Sequence, residues 1–372
     1  MPLFSKKASY LGVDFGSSSV KVAELANISG RPRLITYGFS EKNINELSTS
    51  GVIGDVKQTA KILVEICSKA KTTSKKVITA LPNFSVFSSV ITLPAMSKKE
   101  LNSAVSWEAK KIIPTPLEEI ILDWKIIEEI SATTGVGGEA SLANSNQHNR
   151  VLGKISSRPQ KKLKILLTGA SRSLIKKYVE IFNQAGLLVL GLETESLALI
   201  RSLVGNDKAI IMIVDLGATT SSLTIVDKGV PVLMRSIEIG GLAISKAISS
   251  SLNINLDRAE QFKQDLSLDA ETAENSLPQT VVKSLAPILN EIKYTLNFYQ
   301  SGNNKKVEKI ILTGGTSLLG HLTGYLANNL NVNTYIGDPF SRTIFPTELK
   351  PVLDRVGSRF SVAVGLAMRE IN

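Results

Sequence analysis

Residues 11–25 read LGVDFGSSSVKVAEL and residues 212–226 read MIVDLGATTSSLTIV. Aligned, each is an apolar strand running into Asp-X-Gly, then small and mostly hydroxylated residues, then a second strand. Both copies continue alike. Strands are predicted at 10–15, 20–26 and 33–39, and again near 209–216, 221–227 and 232–239. In each set a turn separates the last two, NISGRP at 27–32 and DKGVP at 227–231. Helices follow at 56–71 and 240–254. A β-β-β-α unit built twice, roughly 200 residues apart, is an internal duplication and predicts two related α/β lobes.

A different segment separates the copies. Ser97-Lys98-Lys99-Glu100 spells a capping box, opening a helix that runs through WEAKK and stops before Pro114. PTPLEEIILDWKIIEEI reads as a turn and a long strand. Residues 131–160 are polar, glycine-containing and nearly free of aromatics, which predicts a flexible loop within a hairpin. The α/β pattern resumes with a strand at 164–170, a helix at 173–186, a strand at 187–192 and a helix at 195–203. Residues 257–300 are mostly helical. A strand at 307–315 then meets a helix at SLLGHLTGYLANNL, and RFSVAVGLAMREIN reads as a last helix.

Composition narrows the chemistry. Cys67 is the single cysteine, so an intramolecular disulfide and a cysteine zinc cage are excluded, and a reducing cytoplasm fits. With only His148 and His321, a histidine-rich metal site is excluded too. The N-terminus lacks the apolar stretch of a secretory signal, and no apolar run approaches the roughly 18 to 20 residues that span a bilayer. The net charge of +10 lies in scattered pairs such as Lys6-Lys7, Lys75-Lys76 and Lys110-Lys111. No nucleic-acid-binding signature accompanies it. Solvated faces account for it, with a mild attraction to an anionic membrane surface as the alternative.

The repeated turn carries its own chemistry. Glycine after an acid permits positive φ, so that successive N–H groups point into one concavity. Such a nest suits phosphate oxygens. Gly16, Ser17, Ser18 and Ser19 form one, and Gly217, Ala218, Thr219 and Thr220 the other. Two nests across a cleft can hold a polyphosphate from both sides, with Asp14 and Asp215 where a hydrated Mg²⁺ needs oxygen ligands. Lys21 adds positive charge beside the first turn, where the second copy has Ser222. LTGGTSLL at 312–319 is a strand ending at Gly314-Gly315, with Thr316 and Ser317 opening a helix that favours negative charge. AEQFK at 259–263 sets Glu260 and Lys263 on one helix face. Walker A is absent, since Gly153-Lys154 is followed by Ile155, and Asp14-Phe15-Gly16 lies too near the N-terminus to be a kinase DFG.

Together, the duplicated turns, the strand–Gly-Gly–helix corner and the AExxK helix resemble the actin–Hsp70–sugar kinase superfamily, over essentially the whole chain. The likeness is closest to bacterial actin-like proteins related to FtsA. Within these, LGVDFGSSSVKVAEL and residues 86–127, with LPAMSKKEL, WEAKKIIPTPLEE and ILDW, are similar to the PilM family of type IV pilus assembly proteins. The resemblance implies an actin-like ATPase fold binding ATP and Mg²⁺. The two turns would clasp the phosphates, with Asp14 and Asp215 in catalytic and water-mediated metal roles. The Gly314–Ser317 corner would cradle the adenosine, and Glu260 and Lys263 would reach the ribose. It also assigns Glu195, at the start of ETESLALIR, to positioning the attacking water, with Ser196 where many relatives have proline.

The implied domains are a first-lobe core of residues 1–85 with 163–205 and the terminal helix 355–372, an inserted subdomain at 86–162, a second-lobe core at 206–256 and 305–354, and a helical subdomain at 257–304. The implied function is a cytoplasmic, nucleotide-responsive scaffold with slow hydrolysis or none. It would dock the N-terminal cytoplasmic segment of a PilN-like membrane protein in a groove between the inserted subdomain and its neighbour, and meet other pilus platform components under the inner membrane. The loop at 131–160 is longer than usual for that hairpin. No terminal amphipathic helix of the FtsA type follows Arg369-Glu370-Ile371-Asn372, so membrane association is expected through the partner. A self-associating, filament-forming FtsA-like protein and a small-molecule kinase are the alternatives, and no acceptor site for the latter is evident.

Overall fold

The computed structural model describes residues 8–41, 44, 54–130, 161–268 and 277–371. The expected loop at 131–160 therefore lies outside the described residues. Two compact units result, one of Met1–Val86 with Ser171–Asn372 and one of Phe87–Ala170.

The larger unit opens with β1 (Ser9–Phe15), β2 (Ser19–Ile28), β3 (Arg31–Glu41), helix α1 (Val56–Lys69) and β4 (Lys76–Leu81). The smaller unit holds most of β5 (Val86–Pro94), α2 (Lys98–Ile112), β6 (Ile120–Ile130) and most of β7 (Lys162–Ser171). Its three strands pair in the order β5-β7-β6. The Ser97 hydroxyl and the Glu100 carboxylate cap α2 reciprocally, as the sequence predicts. The expected boundary at residue 162 moves, because Leu163, Ile165 and Leu167 of β7 bury against Leu101, Val105 and Ala109 of α2. That strand belongs to the smaller unit and not to the first lobe.

The larger unit resumes with α3 (Arg172–Gln184), β8 (Leu188–Thr194) and α4 (Glu195–Leu199), which widens into a π-helical turn at Ile200–Val204. The second lobe follows with β9 (Ile211–Leu216), β10 (Ser221–Asp227), β11 (Val230–Ile237), α5 (Gly241–Leu252), α6 (Leu256–Leu268), α7 (Gln279–Asn303), β12 (Lys309–Thr313), α8 (Leu322–Leu330) and β13 (Asn333–Ile336). The chain closes with α9 (Lys350–Val356) and α10 (Ser361–Ala367), two helices broken by a tight turn at Gly357–Phe360 where one continuous terminal helix is expected.

The duplication is visible in the sheets. Their orders, β3-β2-β1-β4-β8 and β11-β10-β9-β12-β13, are the same antiparallel meander extended by parallel strands. Register repeats as well: Asp14 pairs with Lys21, and Asp215 with Ser222. A buried layer of Ile78, Ala198, Leu199, Ile213 and Leu366 runs from β4 through α4 and α10 to β9, tying the lobes together. The repeated turns thus follow the equivalent central strands of the two sheets, β1 and β9.

Candidate functional site

Each Asp-X-Gly turn is closed by the same hydrogen bond. Gly16 N donates to Ser19 O at 2.9 Å, and Gly217 N donates to Thr220 O at 3.0 Å. Neither glycine takes positive φ, contrary to the sequence expectation. Their need is for space: a Cβ on Gly217 would lie 2.9 Å from Thr220 O. Among the described residues, the amides of Ser17, Ser18, Ala218 and Thr219 meet no backbone carbonyl. Ser17, Ser18 and Ala218 of these lie in the lining of one cleft.

Both turns line one cleft of about 1170 Å³, together with Lys21, Glu195, Glu260, Lys263 and the Gly314–Thr316 corner. Gly314 is the glycine that takes positive φ here, at 84° with ψ of 169°. The expected helix after it begins only at Leu322, because a single tight turn at Gly315–Leu318 intervenes. The Thr316 hydroxyl reaches across to Gly217 O at 3.2 Å, joining corner to turn. Two expected site residues stand apart from the cleft lining. Thr219 is buried, and the Ser317 hydroxyl turns back onto Gly314 O at 2.7 Å.

Glu260 and Lys263 meet as predicted, at 2.6 Å. Lys263 Nζ also donates to Ser245 Oγ at 2.9 Å and Gly241 O at 3.2 Å, which pins α6 to the start of α5. Burial pushes the lysine below its ordinary pKa, against the opposing pull of Glu260.

Three carboxylates converge on the floor. Lys21 Nζ contacts Asp14 Oδ2 at 3.1 Å, a charge pair fixed by strand register. Burial and then the nearby Asp14 raise Asp215 to about 6, and Lys21 opposes this. Glu195, the first residue of α4, rises to about 8, through burial, then Asp14 and Asp215. Its Oε2 accepts from Asn83 N at 2.9 Å. Among the described residues no cluster of three His, Cys, Asp or Glu side chains could ligate a metal directly.

Sequence reading missed two residues at this floor. Tyr178 of α3 is buried, its ring edge-on to Phe15 at 5.6 Å, and its hydroxyl has no hydrogen-bond partner among the described residues. Burial and the Glu195 and Asp14 charges push that phenol well above its usual range. Asn83, in the tight turn Asn83–Ser85 after β4, bonds both Glu195 and Ser196. Helical periodicity marks Tyr178 only as core, and LPNFS reads only as a turn.

The raised acids carry a pH signature. Their protonated forms are favoured by folding, so this stability is complete below about pH 4. It is lost as pH climbs through about 6 for Asp215 and about 8 for Glu195. Nucleotide-free Glu195→Gln should therefore lose less stability than the parent between pH 6 and pH 9, by on the order of a few kcal/mol. Urea midpoints at both pH values measure the gap, and parallel losses would refute the assignment.

A family model described as type IV pilus assembly protein PilM matches residues 12–137 and 140–371. The chain belongs to the PilM family of type IV pilus assembly proteins. Among solved structures it is similar to a chain of a "PilM-PilN type IV pilus biogenesis complex", with a TM-score of 0.78 and 23% identity over 98% of this chain and 99% of that one. Ethanolamine utilization protein EutJ from Carboxydothermus hydrogenoformans matches at a TM-score of 0.55 and 13% identity, over 97% of this chain and 89% of that one. The fold is thus that of the actin-like ATPases, as the duplicated turns lead one to expect. No described helix of this PilM-family chain is long and apolar enough to cross a membrane.

Proposed function

We propose that this PilM-family protein is a nucleotide-responsive scaffold on the cytoplasmic side of the pilus platform, binding Mg-ATP in its cleft and the N-terminal segment of a PilN-like membrane protein. The observation that carries the nucleotide reading is the pair of hydroxyl-rich turns whose free amides line one cleft. In this reading the amides and hydroxyls of Ser17, Ser18, Ala218 and Thr220 hold phosphate oxygens. Lys21 offsets phosphate charge, and the Gly314–Thr316 corner with Glu260 and Lys263 borders the nucleoside. Asp14 and Asp215 hold the hydrated cation, whose positive charge would favour their ionised forms. In this reading a lobe lies on either side of the cleft, with the helical region 257–304 as an adjunct of the second.

Slow hydrolysis or none is part of this reading. Burial, then Asp14 and Asp215, hold Glu195 at about 8 in the nucleotide-free cleft, so only a minor fraction of it is ionised there at neutral pH. Nucleotide then acts chiefly as a conformational ligand, shifting the lobes by no more than its differential affinity for their arrangements.

The test is a calorimetric titration of a PilN-like N-terminal peptide into the protein, with and without Mg-ATP. Peptide affinity should change at least about fivefold on adding nucleotide, within the usual range of coupling energies. Equal affinity in both states would leave the pilus role and remove the switch. No peptide binding in either state would defeat the scaffold reading.

A further inference from the structure

The turn Asn83–Ser85 stands at a junction. It follows β4 of the first lobe, packs against β11 of the second, and leads directly into β5, which enters the smaller unit. Its first residue holds both opening residues of α4. Asn83 N donates to Glu195 Oε2 at 2.9 Å, while Asn83 Oδ1 accepts from Ser196 N at 3.2 Å and Ser196 Oγ at 3.1 Å. The backbone donor of Ser196 fixes which way the Asn83 amide faces, because only its oxygen can accept. Ser196 Oγ lies 2.8 Å from Thr224 Oγ1 on β10, and both hydroxyls are buried. One short relay therefore joins the turn, the start of α4 and a second-lobe strand.

The relay is incompletely satisfied. Asn83 Nδ2 is buried and, among the described residues, has no hydrogen-bond partner, beside an acid that already accepts from the Asn83 backbone. Buried donors are rarely left unpaired, and a neighbouring carboxyl that changes charge or position offers a second arrangement. The Ser196 hydroxyl has a matching choice, since it can donate to Asn83 Oδ1 or to Thr224 Oγ1. Proline at this position would supply neither the N–H nor the hydroxyl, so the relay depends on the serine this chain carries.

We propose that Asn83 and Ser196 form a polar latch, positioning Glu195 and transmitting the state of the nucleotide cleft to the strand that enters the smaller unit. The latch rests on the reading of the cleft as a nucleotide site and names its regulation. On this proposal the latch can take two hydrogen-bonding arrangements, the kind of two-state element through which distant sites can be coupled.

Hydrogen exchange on the full chain tests it, comparing nucleotide-free protein with protein saturated by Mg-ATP. Peptides covering 86–94 report the outcome in the parent, Asn83→Ala and Ser196→Ala. In the parent, nucleotide should change exchange in this segment by about threefold or more. In Asn83→Ala the nucleotide-dependent difference should vanish, and in Ser196→Ala it should fall by at least half. A merely structural role shifts exchange equally in both states and leaves the difference intact. A difference that survives Asn83→Ala overturns the latch, as does a parent that binds nucleotide without any change at 86–94. Should Asn83→Ala fail to fold, Ser196→Ala decides, because its backbone N–H and helix remain. Calorimetry on the parent separates the two readings: absence of Mg-ATP binding defeats the cleft assignment itself, and the latch with it.

Discussion

Replacing Gly314 with alanine is expected to abolish measurable Mg-ATP binding while leaving the protein folded. The backbone there has φ of 84° and ψ of 169°, a region that residues with a Cβ scarcely enter. A Cβ would also lie 2.5 Å from Leu216 O and 2.6 Å from Asp215 Oδ1. Neither neighbour yields cheaply. Leu216 O belongs to the end of β9, and Asp215 is one of the two acids that would hold a cation. Strain of this kind costs about 1–3 kcal/mol before the overlap is counted. Relief must come by moving the corner off the second Asp-X-Gly turn, which breaks the Thr316 hydroxyl contact to Gly217 O. At about 1.4 kcal/mol per decade, a hundredfold weaker Kd is the minimum expected. Titration calorimetry with Mg-ATP, alongside circular dichroism, reads both quantities. A Kd within threefold of the parent would show that the corner is not a wall of the nucleotide site.

The legibility of this chain was uneven for physical reasons. The two lobes could be read because a duplication doubles every weak signal: one Asp-X-Gly turn is a commonplace, but two in matched strand contexts predict a shared register, and Asp14–Lys21 and Asp215–Ser222 have it. Glu260 and Lys263 could be paired because helical spacing alone brings them together. The failures have a different character. Placing β7 in the smaller sheet requires knowing which strand its buried face meets, and an apolar strand can serve either sheet equally well. Ser317 has the residue type of a phosphate donor, yet its hydroxyl serves the local turn. Asn83 and Glu195 lie 112 positions apart and carry no pattern linking them, so only the folded chain joins them.

Valine at Gly12 should be the most damaging single change for stability, and it reaches the site from behind. Helix α10 lies directly on β1: a Cβ on Gly12 would sit 1.9 Å from Ala363 O and 2.7 Å from Ala367 N. Both are backbone atoms of a helix whose every residue, Ser361 to Ala367, is buried, so no rotamer change relieves the clash. Overpacking usually costs about 1–3 kcal/mol when side chains can adjust. Backbone against backbone should exceed that range, a large part of the roughly 5–15 kcal/mol that keeps a domain folded. Gly302→Ala is the control, since its Cβ meets nothing within 4 Å in α7, and helix propensity makes it neutral or stabilising by up to about 1 kcal/mol. Urea denaturation should separate the two variants by more than about 3 kcal/mol. Where Gly12→Val still folds, α10 must have lifted from β1, tilting the strand that carries Asp14 two residues later. Nucleotide affinity should then fall with stability, although Gly12 lines no part of the cleft. A Gly12→Val protein as stable as the parent would mean that α10 is not seated on β1, and that the first turn owes its position to something else.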